Sequence, residues 1–393
     1  MSSQLERDLS RTLDEHATEA TGAIELQDVR HHAHQLRRAT QRRWATGLAA
    51  AAVLVVAVPA ALLLPGDETT GPVDPSPTPT AVPDKLPEPT RTSAPDESVL
   101  AELPAGAGPN WPYLHEGQVQ FSNGATAALP GGAAAVKTFV NYRGGWLVAD
   151  DATATTTWYD NTGAAVRSGR GLSIVTSSDA LRVGYLMADR AHLGDTTGMA
   201  EGEQTWPTPG VLDGLVGFVR DGLVVTAGGG DVRLLAWDGT TKAVAHLQAA
   251  TASSDAADLV GGLVDHDQGA VVDLSTGRAL WTEGWRPLAF SPDGHLLAAV
   301  PLADNGDPSE LAILDARTGA TVARTALVTN RIYLRGTPVW EDETHLLFVA
   351  DSGPTPAEAI LRMGTDSGLE RATPPVAGGL TTDSAPYVLA AGR

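Results

Sequence analysis

The chain has 393 residues, 42% of them apolar, with 42 glycines, 26 prolines and a net charge of −20, which allows a sizeable core in one large or two small domains with less ordered chain besides. Cysteine is absent, so disulfides, thiolate metal sites and cysteine nucleophiles are excluded. The seven arginines and seven acids of residues 1–43 cancel, so the acidic excess lies wholly beyond them and argues against nucleic-acid binding by the rest of the chain.

Residues 1–43 begin with Ser3 and Glu6 at capping-box spacing, then Leu5, Leu9 and Leu13, and later Leu26, Val29 and Leu36. This pattern predicts one or two short amphipathic helices with a narrow apolar stripe. Two readings stand: a docking helix for a cytoplasmic partner such as a sigma factor, or a solvated tail whose arginines set topology and touch anionic lipid.

From Ala45 to Leu64 the sequence is ATGLAAAAVLVVAVPAALLL, and no charge occurs between Arg43 and Asp67. A helix of this length spans roughly 30 Å of hydrocarbon. It is apolar all round, whereas a core helix carries polar residues at helical period. The long stretch ahead of it and its Leu-Leu-Leu-Pro close argue against a cleaved signal peptide. Arg30, Arg37, Arg38, Arg42 and Arg43 precede the run, and Asp67 and Glu68 follow it. The positive-inside rule therefore puts residues 1–43 in the cytoplasm, residues 44–64 across the cell membrane once, and the remainder outside.

Between residues 65 and 112 lie 12 of the 26 prolines, as in DPSPTPTAVPDKLPEPT. An extended, disordered linker over 65–111 is expected. At about 3 Å per residue it reaches up to roughly 100 Å from the membrane.

Beyond it the sequence repeats. YDNTGAAV, VDLSTGRALW and LDARTGATVA are clear copies of one turn, with weaker ones at WDGTTKAV, FSNGATAAL, GDTTGMA and GTDSGLERA. Their glycines, at 124, 163, 198, 239, 277, 319 and 368, are spaced 39, 35, 41, 38, 42 and 49 residues apart, the length of a four-stranded propeller blade. A second turn precedes the clear copies, in YRGGWLVAD, VRDGLVVTAG, SPDGHLLAAV and EDETHLLFVAD. A blade then reads strand A, an Asp-Gly-like turn, strand B, a variable loop, strand C, a Thr-Gly turn and strand D. PYVLAAGR (386–393) resembles an inner strand lacking outer ones, and GQVQFSNGATAAL (117–129) outer strands lacking an inner one. The expected fold is all-β: a seven-bladed β-propeller over 112–393, closed by pairing 117–129 with 380–393. Six or eight blades stay open, because MADRAHLGDTTGMAEGEQTWPTP is irregular as the outer half of blade 3.

FSPDGHLLA resembles WD-repeat propellers and VVDLSTGRALW quinoprotein-like ones. Lysine occurs only at 85, 137 and 242, beside abundant arginine and alanine. With the apolar segment, the chain resembles an actinobacterial-type single-pass membrane protein carrying such a propeller outside. The resemblance implies architecture and little chemistry. Quinoprotein dehydrogenases are usually larger and often have paired cysteines, SPDGHLL lacks the aromatic end of a sialidase box, and no G-x-S-x-G elbow follows a strand. The expectation is a non-catalytic binding or sensor module for a protein or envelope ligand, not an enzyme. The alternative is an extracytoplasmic carbohydrate-active or quinone-dependent enzyme.

Both repeated turns fall on one face of the disc, and the variable B-to-C and D-to-A loops on the other, where function is expected. Five B strands end there in aspartate: Asp150, Asp189, Asp265, Asp304 and Asp351. Either they form a carboxylate ring at the channel mouth that attracts a cationic ligand, or each closes its own loop. Asp265-His266-Asp267 and Asp304-Asn305-Gly306-Asp307 hold oxygens suited to Ca²⁺ without EF-hand spacing; no cofactor or metal is expected. Asp273, Asp293 and Asp315 read as turn-formers, and Trp281 as packing between blades. Arg190, His192 and Asp195 are further acid-base candidates on a surface loop.

Overall fold

The computed structural model describes residues 98–392 except 132–134, 188–189, 197–202, 207–211, 303–306, 353–356 and 378–385. The chain divides into two units, Ala49–Asp96 and the remainder, and all described residues belong to the latter. The tail, the 44–64 segment and the linker to residue 97 lie outside the described residues. Among those described, no helix is long and apolar enough to cross a membrane.

The fold is a seven-bladed β-propeller. After a short helix α1 (Val99–Glu102) come β1 (Tyr113–His115), β2 (Gln118–Gln120) and β3 (Thr126–Ala128) of blade 1. Blade 2 is β4 (Val136–Tyr142), β5 (Gly145–Asp150), β6 (Thr155–Tyr159) and β7 (Ala165–Arg170), and blade 3 is β8 (Ile174–Thr176), β9 (Arg182–Met187), β10 (Arg190–Asp195) and β11 (Gln204–Trp206). Blade 4 comprises β12 (Leu212–Val219), β13 (Gly222–Ala227), β14 (Asp231–Ala236) and β15 (Thr241–Ala243); blade 5 comprises β16 (Ala249–Ser254), β17 (Leu259–Leu263), β18 (Gly269–Asp273) and β19 (Arg278–Glu283). Blade 6 is β20 (Trp285–Phe290), β21 (Leu296–Pro301), β22 (Glu310–Asp315) and β23 (Thr321–Ala326). Blade 7 holds β24 (Ile332–Trp340), β25 (His345–Ser352), β26 (Ala357–Gly364), β27 (Leu369–Arg371) and the two-residue β28 (Val376–Ala377), and β29 (Tyr387–Leu389) returns to blade 1. Each sheet is ordered A-B-C-D from the inside, and the closing sheet reads β29-β1-β2-β3.

Each blade is covered on both faces by its neighbours, which is why the B strands are unbroken apolar runs instead of alternating ones. Leu297, Ala298, Ala299 and Val300 of β21 are all fully buried. Alternate residues serve different interfaces: Leu297 and Ala299 join a cluster with Trp281 and Leu259 of blade 5, while Ala298 and Val300 join one with Trp340 and Phe348 of blade 7. Tryptophans staple the interfaces. Trp281 Nε1 in β19 donates to Ala316 O of blade 6 at 2.9 Å, and Trp206 Nε1 in β11 donates to Ala236 O of blade 4 at 3.2 Å. The expectation for Trp281 holds.

The turn glycines at 124, 163, 239, 277 and 319 all have positive φ, a conformation glycine adopts without a Cβ penalty. Gly198 lies outside the described residues. Gly368 does not follow the pattern: Ser367 carries the positive φ, at 66°, and Asp366 Oδ1 accepts from Gly368 N at 2.9 Å. Blade 3, irregular in sequence, has four strands with β10 paired to both β9 and β11.

Two expectations about boundaries are corrected. The direct partner of the closing strand is β1, with Tyr113 opposite Leu389 and His115 opposite Tyr387, so pairing begins ahead of residue 117. The linker also does not run undocked to 111. Leu100 is fully buried between blades 6 and 7, and Arg362 binds residues 107–108 with donors left over for two carboxylates. Its Nε and Nη2 reach Glu341 at 2.6 and 2.9 Å, Nη1 reaches Glu370 at 2.6 Å and Ala107 O at 3.0 Å, and Nη2 reaches Gly108 O at 3.1 Å. Composition marked this stretch as unable to make a core of its own, but it borrows one from blade 7.

Trp281→Ala should lower stability by about 3–5 kcal/mol through lost packing, and Trp281→Phe by about 1–2 kcal/mol through the hydrogen bond and the smaller part of the ring that is lost. Thermal unfolding of the two variants beside wild type measures the difference; equal stability would remove the staple's role.

Candidate functional site

The inner strands enclose a channel of about 870 Å³. Its wall has a repeated construction. In blades 2, 4, 5, 6 and 7 the A–B pairing slips within the A strand: between Val136 and Thr138, Leu212 and Gly214 and again Leu215 and Gly217, Ala250 and Ala252, Pro287 and Ala289, and Arg335 and Val339. A bulge leaves the extra residue unpaired and re-aims its side chain. The skipped residues, Lys137, Asp213, Val216, Thr251, Leu288 and Gly336 to Pro338, all line the channel. Lys137 and Asp213 are exposed there. Both sit at the start of an A strand, opposite the end of a B strand, and so at the mouth on the loop face.

The opposite, turn face is built to satisfy itself. At the A-to-B turn of blade 6, Ser291 Oγ donates to Asp293 at 2.6 Å and accepts from Leu296 N at 2.9 Å, while His295 N donates to Asp293 at 3.0 Å. Ser177, Asp179, Leu181 and Arg182 repeat that pattern in blade 3. At the C-to-D turns Asp273 accepts from the Ser275 hydroxyl at 2.5 Å and Asp315 from that of Thr318 at 2.8 Å. The Ser275 hydrogen bond is the largest influence holding the Asp273 carboxyl below its ordinary range. These aspartates are turn-formers, as their sequence context indicates.

The five B-strand aspartates have separate placements. Asp150 accepts from Thr153 N at 2.8 Å and from the Thr153 hydroxyl at 2.9 Å, closing its own loop. Asp265 does the same with Asp267 N at 3.2 Å. Asp189 and Asp304 lie outside the described residues. Asp351 alone of the three described lines the channel, 5% exposed and ion-paired to Arg335 at 2.5 Å. Among the described residues no three His, Asp or Glu are grouped as a metal site would require. His192 is not on a surface loop: it is buried in β10, stacked on Tyr185 at 4.9 Å and paired with Glu203, whose carboxylate also takes Arg167 at 3.1 Å. Burial, then the hydrogen bond to Glu203, raises the Tyr185 hydroxyl pKa. This cluster joins blades 2 and 3.

Sequence reasoning missed Glu358. It stands directly across from Asp351 in the β25–β26 register, is 8% exposed and also lines the channel. Its carboxylate accepts from Tyr387 N at 2.9 Å, bridging blade 7 to the closing strand. Burial pushes its pKa up to about 7, with Asp351 adding to the rise and the Tyr387 N–H and Arg335 opposing it. The sequence signal was Asp351 and Glu358 either side of a short B-to-C loop.

No protein-family profile matches the sequence, and no curated protein matches it significantly. Solved structures do. The β-propeller domain of Myceliophteria thermophila Cps50 (Swd1) gives a TM-score of 0.45 at 11% identity, covering 62% of this chain and 86% of that one. The RRP9 WD40 repeats give 0.45 at 12%, covering 70% and 86%. Kluyveromyces lactis Hsv2 gives 0.41 at 13%, covering 65% and 90%.

Glu358 sets a pH dependence with a defined sign. Its native pKa of about 7 lies above the ordinary 4.5, so the folded state holds a proton that the unfolded chain has lost. Its contribution is complete below the lower value and disappears as pH rises through the upper one, a loss of about 3 kcal/mol. Glu358→Gln should flatten that slope in denaturant titrations across this range; an unchanged slope would assign it to other groups.

Proposed function

We propose that the propeller is a non-catalytic binding module that receives a protein or envelope ligand at the loop-face mouth of its channel. The observation that carries this reading is the row of A-strand bulges, which turns unpaired side chains inward in five of the seven blades. A bulge costs ladder hydrogen bonds, and it is found where a side chain must be re-aimed. Lys137 and Asp213, from blades 2 and 4, give the mouth opposite charges, which favour one orientation of a charged partner over another.

The loop aspartates extend the same surface. Asp351 lies in the wall, Asp150 and Asp265 on adjoining loops, and Asp189 and Asp304 hold the equivalent sequence position in blades 3 and 6. In the full chain, residues 44–64 anchor this module in the cell membrane with the propeller outside, and residues 1–43 face a cytoplasmic partner or the inner lipid surface. The apolar run and its flanking arginines support that topology.

Full-length protein with Lys137→Glu and Asp213→Lys should capture its ligand from envelope extract at least about tenfold less well than wild type, the equivalent of about 1.4 kcal/mol. Undiminished capture would move the site away from the mouth. For the topology, a reporter fused after residue 393 should be active only outside the cytoplasm; activity confined to the cytoplasm would reverse the orientation.

A further inference from the structure

The closing strand β29 is held to β1 by three residue pairs, as few as attach the inner strand of blade 3. Its first residue is held from the other side by Glu358. Beside that contact a second carboxylate competes for the same cation. Asp351 from β25 and Glu358 from β26 face each other across the register, and Arg335 from β24 is the cation that acts on Glu358. Arg335 already pairs with Asp351. An ionised Glu358 therefore sets a second carboxylate charge against Asp351 while the cation that acts on it, Arg335, is already engaged. Burying an unbalanced charge is costly, and the group either keeps its proton or moves to water.

Water is within reach, because Glu358 lines the channel. Turning into the channel would solvate the carboxylate and abandon the Tyr387 N–H. The remaining ties of this strand are of other kinds: the Tyr387 hydroxyl donates to Pro374 O at 2.8 Å, Ala390 N to Pro112 O at 3.1 Å, Ala391 N to Phe139 O at 2.8 Å, and Trp111 Nε1 to Ala390 O at 3.3 Å. On the blade 1 side, His115 stacks on Tyr387 at 4.6 Å and its Nδ1 lies 3.2 Å from Pro386 O. Glu116 and Tyr113 are the other ionisable groups acting on Tyr387.

We propose that Glu358 is a proton-controlled latch on ring closure: protonated, it holds the start of β29 against blade 7, and ionised, it turns into the channel and releases it. The direction agrees with its raised pKa near 7. Release is local, at the edge of the channel, since the other ties of β29 do not involve Glu358. The latch opens on the channel itself, so a ligand there that brings a positive charge would favour the ionised, released form, and one that brings a negative charge would favour closure.

Hydrogen exchange on the full-length protein in detergent, corrected for intrinsic rates, tests this between about pH 6 and about pH 8. Protection of the Tyr387 amide should fall about tenfold over that interval, while amides of β21 stay constant. Glu358→Gln keeps an acceptor without a titrating proton and should hold protection constant. Asp351→Asn frees Arg335 for Glu358 and should also flatten the profile. His115→Gln should leave the wild-type profile in place, which separates the latch from the neighbouring imidazole. A flat wild-type profile, or one that survives Glu358→Gln, would overturn the proposal. If Glu358→Gln does not fold, the flat profile of Asp351→Asn is the deciding result, and its persistence would overturn the latch equally.

Discussion

A single blade has two apolar faces and covers neither of them alone, so every blade is stable only between two neighbours. An open row would leave two such faces and two sheet edges in water; closing the ring removes the exposed faces. In this chain the closure is made by a blade of mixed origin, with three outer strands supplied by residues 113–128 and the inner one by 387–389. The largest contiguous cluster of the core sits at this seam, where Trp111, Leu114, Phe139, Leu347 and Tyr387 meet. Apolar packing thus makes most of the closure, and the few polar contacts at Glu358 and Tyr387 determine how the strand begins.

The two faces of the disc are built on different terms. On the turn face, serine, threonine and aspartate side chains are committed to neighbouring backbone groups, which stiffens the turns and leaves them little chemistry to offer. On the loop face, the A strands give up ladder hydrogen bonds at bulges and present side chains to an open channel. Stiff turns on one side allow irregular strands on the other, because the sheet is already held in register.

Much of this architecture is legible in the residues. Glycine at positions needing positive φ and aspartate two or three residues ahead of a donor leave a periodic trace, and that trace gives the blade length. Ser367 shows why the trace fades: a non-glycine residue in the same conformation carries no mark. The A-strand bulges are illegible for a related reason, since Lys137, Asp213 and Thr251 resemble ordinary strand residues and a one-residue slip is visible only against a partner. Glu358 was hidden because a carboxylate's character depends on what surrounds it, and its neighbours Arg335 and Tyr387 are distant in sequence. Of the loop aspartates, Asp150 ends its B strand and Asp265 lies in the loop two residues beyond one, and position alone does not distinguish a loop-closing role from a ligand-facing one.

The docked segment 98–110 has a mechanical meaning. The chain passes Ser352 at the loop end of blade 7, where the Ser98 hydroxyl donates to that of Ser352 at 2.8 Å, and reaches Glu341 at the turn end, which accepts from Asn110 N. Any pull arriving along the chain at residue 98 meets the buried Leu100 and then the Arg362 clamp before it reaches β1. The load is spread in shear over blade 7, and the three-pair seam that closes the ring is shielded from it.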